Sequence, residues 1–262
     1  MQYRVLWQKA IVEEIIDETP RAKTFHLRVD DRPPFRSGQH YDVRLTAPDG
    51  YQAQRSYSIA SAPESEGVID LTIEIIENGE VSPFFHQVVE VGDEIEMRGP
   101  IGGPFTWSSD AGGPLLLLAG GSGIVPLMSM LRHRRAIGSS VRTALIYSAR
   151  TAINVIYQGE LENFDSQDEE LESIITLTRE DDEGWTGERG RVSTGLIDRA
   201  LTFLGTTDAK VYACGPDGFV EAAAALALAA RVPFQSIRTE RFGPSGAWPS
   251  GRQQRRSGPL PL

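Results

Sequence analysis

Cysteine is nearly absent from this chain, and its scarcity excludes two kinds of structure. The 262 residues include one cysteine, Cys214, so no internal disulfide can form. The same count excludes an iron–sulfur cluster held by four thiolates of this chain. The sequence also lacks a basic amino-terminal flank followed by an apolar core, so no signal peptide is predicted. We therefore expect a protein of the reducing cytoplasm.

Long apolar runs and net positive charge are missing too. The longest strongly apolar runs, 115–121 and 222–232, are well short of the ~20 residues that span a bilayer, so no membrane association is expected. The formal net charge of −10 disfavours nucleic acid, whose phosphates require a basic surface. Basic clusters at 132–135 and 252–256 are interpreted as a solvated helix end and a loose tail. A monomer is the default expectation.

Two patterns of apolar residues divide the chain. Over residues 1–106, apolar and polar residues alternate between Pro, Gly and Asp turns, with one short helix at 82–89, which indicates an antiparallel β barrel. After a linker at 107–114, apolar strands alternate with amphipathic stretches over 115–242, which predicts a doubly wound α/β domain with a parallel sheet. Residues 243–262 are expected to be a disordered tail. The strands expected in the second domain are 115–119, 143–148, 173–178 and 210–214, and the helices are 124–136, 194–204 and 216–230.

A glycine-rich turn follows the first strand of the second domain. In AGGSGIVPL, the glycines Gly120, Gly121 and Gly123 stand between a leucine run and a helix-like stretch. Free N–H groups and the helix dipole at such a turn can hold a phosphate. No Lys follows, so this is not a P-loop, and Pro126 departs from the standard G-x-G-x-x-G pattern. Since Pro is tolerated in a first helical turn, the helix should begin near 124–125. A tight connection without a ligand is the alternative.

Two other segments carry candidate site residues. In RSYS, Arg55 and Tyr57 share one face of a predicted strand, and Ser56 and Ser58 share the other. Arg and an aromatic ring can hold a phosphate and stack on a flat ligand, or they can be ordinary barrel surface. In CGP, Cys214 lies at the carboxyl end of a predicted parallel strand, where open α/β sheets bind ligands. A lone cysteine is more often a small buried apolar residue.

Together these segments resemble the ferredoxin–NADP reductase family over about residues 5–242. The resemblance implies a flavin-binding β barrel followed by an NAD(P)H-binding α/β domain. RSYS is similar to the family's Arg-x-Tyr-Ser motif, which implies Arg55 at the flavin phosphate, Tyr57 stacked on the isoalloxazine and Ser58 near its N5. GEVS is similar to the family's Gly-x-x-Ser segment at the FAD pyrophosphate, which favours FAD over FMN. The implied flavin-binding residues are Arg55, Ser56, Tyr57, Ser58, Gly79, Val81 and Ser82.

The same resemblance assigns the second cofactor. AGGSGIVP is similar to the segment that holds the NAD(P)H pyrophosphate, and CGP is similar to the segment beside the nicotinamide. Phe242 matches the aromatic residue that shields the flavin in relatives. The implied catalytic residues are Ser58, Cys214, Glu240 and Phe242, without a metal. The implied nucleotide-binding residues are Gly120, Gly121, Gly123, Pro126, Arg150, Thr178, Arg179, Arg191, Cys214, Gly215 and Pro216.

Arginines decide which nicotinamide nucleotide is expected. Thr178–Arg179 resembles the Ser-Arg pair that relatives use for the 2′-phosphate of NADPH, and Arg191 resembles their second basic position. Charge-assisted hydrogen bonds contribute about 1.5–3 kcal/mol each, so two of them favour NADPH over NADH. Acidic residues at 181–183 oppose this. The alternative is that these arginines pair with the neighbouring carboxylates Glu188 and Asp181.

The implied function is an NADPH-dependent flavoprotein reductase that passes a hydride to FAD and electrons onward to a separate redox protein. That acceptor could be ferredoxin-like, an oxygenase component, or a haem or molybdenum protein. An acidic ferredoxin would need a local basic patch on this acidic chain, for which Arg132, Arg134, Arg135 and the arginines of the tail are candidates. A flavin-containing electron-transfer subunit that needs a catalytic partner, or a free-flavin reductase, is the alternative.

Overall fold

The first sheet of the protein is antiparallel and closes on itself. The computed structural model describes residues 5–180 and 184–242. The elements of this part are β1 (Trp7–Thr19), β2 (Ala22–Arg28), β3 (His40–Thr46), β4 (Gln52–Ser58), β5 (Val68–Glu74), α1 (Val81–Gln87) and β6 (Glu94–Ile101). The strand order is β4-β3-β6-β1-β2-β5. Ile59, directly after β4, bridges to Leu71 of β5, so the two edges of the sheet meet. The predicted β barrel is confirmed.

Alternating side chains fill this barrel. Along β5, Ile69, Leu71 and Ile73 are buried at every second position, as a strand with one face toward a core requires. Helix α1 packs Val81 and Phe85, four residues apart, into the same core. The barrel core is therefore closed by a short helix that begins at Val81, within the GEVS segment.

The second sheet is parallel and carries helices. Its elements are β7 (Leu115–Gly120), α2 (Ile124–Ala136), β8 (Thr143–Ala149), α3 (Gln158–Gln167), β9 (Leu171–Leu177), β10 (Glu188–Arg189), α4 (Thr194–Leu204), β11 (Lys210–Gly215), α5 (Asp217–Ala229) and β12 (Ile237–Arg241). The strand order is β10-β9-β8-β7-β11-β12. This confirms the predicted doubly wound parallel sheet. No helix within the described residues is long and apolar enough to cross a membrane.

The strand order reverses beside β7. From β7 the chain moves outward through β8, β9 and β10, and then returns to β11 on the other side of β7. Open α/β sheets bind ligands in the crevice at such a reversal, where the loops that leave neighbouring strands run to opposite faces of the sheet. The glycine-rich turn follows β7 and the CGP segment follows β11. Two distant sequence segments thus meet at one edge of the sheet.

The segment between the two sheets is packed rather than loose. Trp107 is 1% exposed, pairs with Ser37 of the barrel and donates its indole N–H to the carbonyl of Gly112 at 2.9 Å. Ala60 and Phe105 belong to the same apolar cluster as the strands and helices of the second sheet. The barrel and the α/β domain therefore share a hydrophobic core.

Candidate active site

The glycine-rich turn is fitted against the end of β11. A Cβ on Gly123 would lie 2.1 Å from the carbonyl oxygen of Cys214, and one on Gly120 would lie 2.6 Å from the ring of Phe219. Only glycine allows this approach. By contrast, Gly121 has a φ of +54° and faces open space. Helix α2 begins at Ile124, as predicted, directly after a 3-10 turn over Gly121–Gly123, and neither has a side-chain cap. The N–H of Ile124 donates to carbonyls of that turn, so an anion at this end would meet the N–H groups of the turn itself.

The CGP segment forms the other wall of the crevice. β11 ends at Gly215, whose φ is +152° and where a Cβ would lie 2.9 Å from the carbonyl oxygen of Gly120. Pro216 then leads into α5. The N–H of Phe242 donates to the carbonyl of Gly215 at 3.0 Å, and its ring packs against the shared core. The structure thus brings Phe242 to the CGP turn.

A buried thiol and a half-buried carboxyl lie side by side in this wall. Cys214 and Glu240 are paired in register between β11 and β12. Burial raises the pKa of the Cys214 thiol well above its ordinary value, and the nearby Glu240 raises it further, so the thiol is neutral and not a nucleophile. Burial raises the pKa of Glu240 to about 7. Its Oε2 has no hydrogen-bond partner among the described residues, and a bound ligand could satisfy it.

RSYS lies at the end of β4 and divides its side chains between two faces. Tyr57 packs against the barrel core, where burial raises the pKa of its phenol. Arg55 shares its face, with Nη2 3.8 Å from a carboxylate oxygen of Glu80. On the other face, Ser56 donates its hydroxyl to Asp42 at 2.6 Å. The structure therefore groups Arg55 with Tyr57 and places the side chain of Ser56 apart from them.

The GEVS turn brings the start of α1 close to Arg55. The hydroxyl oxygen of Ser82 accepts the N–H of Ile76 at 3.0 Å, and a Cβ on Gly79 would lie 3.2 Å from that oxygen. Val81 points into the barrel core, so only its backbone can face a ligand. A cleft of about 530 Å³ opens alongside, lined in part by Tyr51, Ala53, Glu80 and Phe84. The sequence analysis did not single out this cleft, because its lining residues come from β3, β4, α1 and β6.

The arginines expected at the nucleotide lie along the carboxyl edge of the parallel sheet. Arg150 follows β8, Thr178 and Arg179 follow β9, and Arg191 follows β10. The N–H of Arg179 donates to the carbonyl of Arg150 at 2.8 Å, which holds two of these loops together. All four residues are exposed. The structure therefore brings the predicted residues to one edge.

Among the described residues these arginine side chains have no carboxylate partner, so the pairing with Glu188 that the alternative interpretation named is not present. Over residues 5–180 and 184–242, the guanidinium groups of Arg150, Arg179 and Arg191 make no hydrogen bond or ion pair. Glu188 pairs instead with Arg199 at 3.1 Å. The acidic residues 181–183 lie outside the described residues.

The prediction of a solvated basic cluster at 132–135 is wrong for two of its arginines, and so is their use as a docking patch. The side chain of Arg134 is 2% exposed and pairs with Asp168. Arg132 holds Glu160 with two nitrogens, at 2.9 and 2.6 Å. The sequence analysis missed α3 and the turn after it, which supply these carboxylates. The other basic cluster lies outside the described residues.

Comparison with known proteins agrees with this arrangement. The family model for the oxidoreductase FAD-binding domain matches residues 9–106, and that for the oxidoreductase NAD-binding domain matches residues 117–225. The FAD/NAD-binding domain of nitric oxide dioxygenase from Vibrio cholerae O1 biovar El Tor superposes with a TM-score of 0.79 at 23% identity, covering 92% of this chain and 100% of that one. This likeness shows a shared fold.

Two sequence relatives extend the comparison. The phenol 2-monooxygenase reductase component DmpP of Pseudomonas sp. (strain CF600) is 30% identical over 236 residues, covering 89% of this chain and 65% of the relative. The chain therefore spans just under two thirds of that protein. Ferredoxin–NADP reductase B of Sorangium cellulosum (strain So ce56) is 32% identical over 212 residues, which are 79% of this chain and 85% of that protein. With both cofactor domains matched in this order, the chain belongs to the ferredoxin–NADP reductase family of oxidoreductases that bind FAD and a pyridine nucleotide.

Proposed function

We propose that this chain is an NADPH-dependent reductase that passes electrons through FAD to a separate redox protein. The observation that carries the proposal is the meeting of three segments at one crevice. The glycine-rich turn touches the CGP turn through Gly123. Ser129, midway along α2, donates its hydroxyl at 2.7 Å to the carbonyl of Ser61, which lies three residues beyond Ser58. Flavin and nucleotide segments are thus held next to each other.

Different residues of the site would bind the cofactors and shield them from water. The N–H groups of the glycine-rich turn that leads into α2 suit the nucleotide pyrophosphate, and Arg55 suits the flavin phosphate. Phe242 and the buried Cys214 shield the crevice from water. Glu240 offers an uncharged carboxyl below its pKa of about 7. When bound, FAD supplies the ring that accepts a hydride from the nicotinamide and releases electrons afterwards.

The path along β4 supports FAD as the flavin. Ser58 stands at the end of the strand nearest the α/β domain, Arg55 follows toward its start, and Ala53 and Tyr51 line the cleft of about 530 Å³. A ring at Ser58 and a phosphate at Arg55 would direct a second nucleotide half toward that cleft. FMN has no such half.

Arg179 and Arg191, whose side chains have no partner among the described residues, support NADPH over NADH. We expect Arg179→Ala and Arg191→Ala each to lower kcat/KM for NADPH about tenfold or more, because a charge-assisted hydrogen bond contributes about 1.5–3 kcal/mol. The kcat/KM for NADH should stay unchanged. Arg142→Ala is the matched control, since Arg142 is an exposed arginine of the same domain paired with Glu170. Anaerobic bleaching of the flavin by each nucleotide gives the measurement.

Each outcome of that experiment has a separate meaning. Faster reduction by NADH than by NADPH in the unaltered protein would reject the NADPH preference and leave the reductase in place. Equal losses with both nucleotides in the arginine variants would assign Arg179 and Arg191 to general nucleotide binding. A protein that binds no flavin, or whose flavin neither nucleotide bleaches, would reject the reductase itself.

The acceptor is proposed to be a separate redox protein, as in the oxygenase system named for the phenol 2-monooxygenase reductase component. Arg132 and Arg134 are engaged inside the protein, so they provide no basic docking patch on an acidic chain. A neutral or basic docking face on the acceptor therefore fits better than an acidic one. Electron transfer that speeds up as salt is added would indicate like-charged surfaces and contradict this expectation.

A further inference from the structure

A polar seam joins the two domains along one face of α2. Ser129, Arg132 and His133 are spaced three and four residues apart, so they share a face of the helix. That face meets barrel residues 60–64, directly after the RSYS motif. The contacts are Ser129 Oγ to the carbonyl of Ser61 at 2.7 Å, Arg132 Nη1 to the carbonyl of Ala60 at 3.0 Å, and His133 Nδ1 to Glu64 Oε1 at 2.8 Å.

Arg132 is the centre of this seam. Its Nε and Nη2 hold both oxygens of Glu160 at the start of α3, while its Nη1 reaches Ala60 and lies 3.7 Å from Asp70 of β5. The guanidinium also lies 4.9 Å from the ring centre of Tyr157. A planar guanidinium group has five N–H donors and can bind these partners at the same time, whereas a lysine ammonium cannot.

Tyr157 is a second tie between the domains. Its backbone is left-handed, with a φ of +62°, a conformation that non-glycine residues adopt at a cost of about 1–3 kcal/mol. The side chain is buried, and its hydroxyl forms a hydrogen bond with Thr72 of β5. Thr72 in turn lies 2.7 Å from Thr24 of β2. The strained residue is thus held by the barrel on one side and Arg132 on the other.

We propose that Arg132 and Tyr157 are positioning residues that set the distance and angle between the flavin and the nicotinamide. This inference rests on the proposed function. Helix α2 begins at the nucleotide turn, and two turns later Arg132 binds the backbone of Ala60, two residues beyond Ser58. The path from one cofactor segment to the other is therefore short and built of rigid elements. A misplacement of about 1 Å between reacting groups costs roughly 100-fold in rate.

Four variants of the full-length holoprotein test the proposal, one of them the conservative Arg132→Lys. Arg132→Gln removes the centre of the seam, and Tyr157→Phe removes only a hydroxyl, in case the first variant fails to fold. Arg142→Gln is the control, because it breaks a two-nitrogen ion pair with Glu170 that lies outside the seam. Rapid-mixing experiments would measure the rate of flavin reduction, the Kd of NADPH and the long-wavelength charge-transfer absorbance of the stacked rings. Calorimetry would follow unfolding.

We expect Arg132→Gln to slow flavin reduction about 10–100-fold and weaken the charge-transfer band, with the Kd of NADPH unchanged. Tyr157→Phe should act in the same direction, Arg132→Lys should restore only part of the rate, and Arg142→Gln should match the unaltered protein. Calorimetry should show a single transition that splits into two in Arg132→Gln alone. If both Arg132→Gln and Tyr157→Phe reduce flavin at the rate of the unaltered protein and keep its charge-transfer band, the proposal is overturned.

A different result would overturn the proposed function instead. If neither nicotinamide nucleotide bleaches the flavin of the unaltered protein, the proposed reductase function is rejected. In that case only calorimetry tests whether Arg132 couples the two domains. A split transition in Arg132→Gln then supports the coupling of the domains, and an unchanged transition rejects it.

Discussion

Replacing Gly123 with alanine should pull apart the two turns that form the nucleotide crevice. The new Cβ would lie 2.1 Å from the carbonyl oxygen of Cys214, 2.4 Å from its carbonyl carbon and 2.7 Å from the nitrogen of Gly215. Ordinary contacts of a Cβ begin near 3.4 Å, so the chains must separate by about 1 Å. All three atoms are backbone of β11, which is paired on both sides by β7 and β12. No flexible side chain can give way.

The loss in the free energy of unfolding therefore lies at the upper end of the range for overpacked cores, about 3 kcal/mol or more. For a protein of this size, 1 kcal/mol corresponds to about 2–4 °C in Tm, so Gly123→Ala should lower Tm by roughly 6–12 °C. Because the displaced turn also carries the proposed pyrophosphate site, the Kd of NADPH should rise as well. Thermal unfolding followed by circular dichroism and titration with NADPH give the two measurements.

Gly218→Ala is the matched control for this prediction. Gly218 lies in the first turn of α5, and a Cβ there would meet nothing within 4 Å. The same chemical change should be neutral or stabilise the protein by up to about 1 kcal/mol, through the reduced freedom of the unfolded chain. If Gly123→Ala unfolds at the same temperature as Gly218→Ala and binds NADPH equally well, the contact between the two turns does not exist as described.

Two predictions concern carboxylates. Burial raises the folded-state pKa of Glu240 to about 7 from an ordinary value of 4.5, so protonation favours the folded state and stability should fall as pH rises from about 4.5 to about 7. At about 1.4 kcal/mol per pKa unit, the decline in the free energy of unfolding reaches about 3 kcal/mol. Urea unfolding at pH 5 and pH 8 should show this decline in the unaltered protein and not in Glu240→Gln. Equal declines in both proteins would exclude Glu240 as the cause. Asp168→Asn should destabilise the protein at neutral pH by about 3 kcal/mol, because the guanidinium of Arg134 stays buried without its charged partner. Glu169→Gln, a neighbouring exposed change, should leave urea unfolding unaltered, and equal midpoints for the two variants would refute the role of the Arg134 pair. The hydrogen bond and charge of Arg134 lower the pKa of Asp168, so this contribution should disappear as pH falls below about 3.8.

Much of the local structure could be predicted from the sequence. Helices α2 and α4 have the predicted bounds. Pro126 in the first turn of α2, and Ser193 at the N-cap of α4 with the spacing of its apolar residues, act within a few positions of one another. The order of the barrel and the parallel sheet followed from the change of apolar period near residue 114. Helix α3 was missed because its ten residues bury only Leu161 and Phe164, too few to reveal a helical period.

The environment of each charged residue was decided by the tertiary structure alone. In the sequence, Arg132 and Arg134 look like any basic helix end, yet their partners Ala60, Asp70 and Asp168 come from distant parts of the chain. The same holds for Glu240, whose raised pKa depends on burial beside β11. A residue's type and its near neighbours determine local backbone preference. Desolvation and pairing depend on which remote atoms the fold brings within a few ångströms, and that information is absent from any short stretch of sequence.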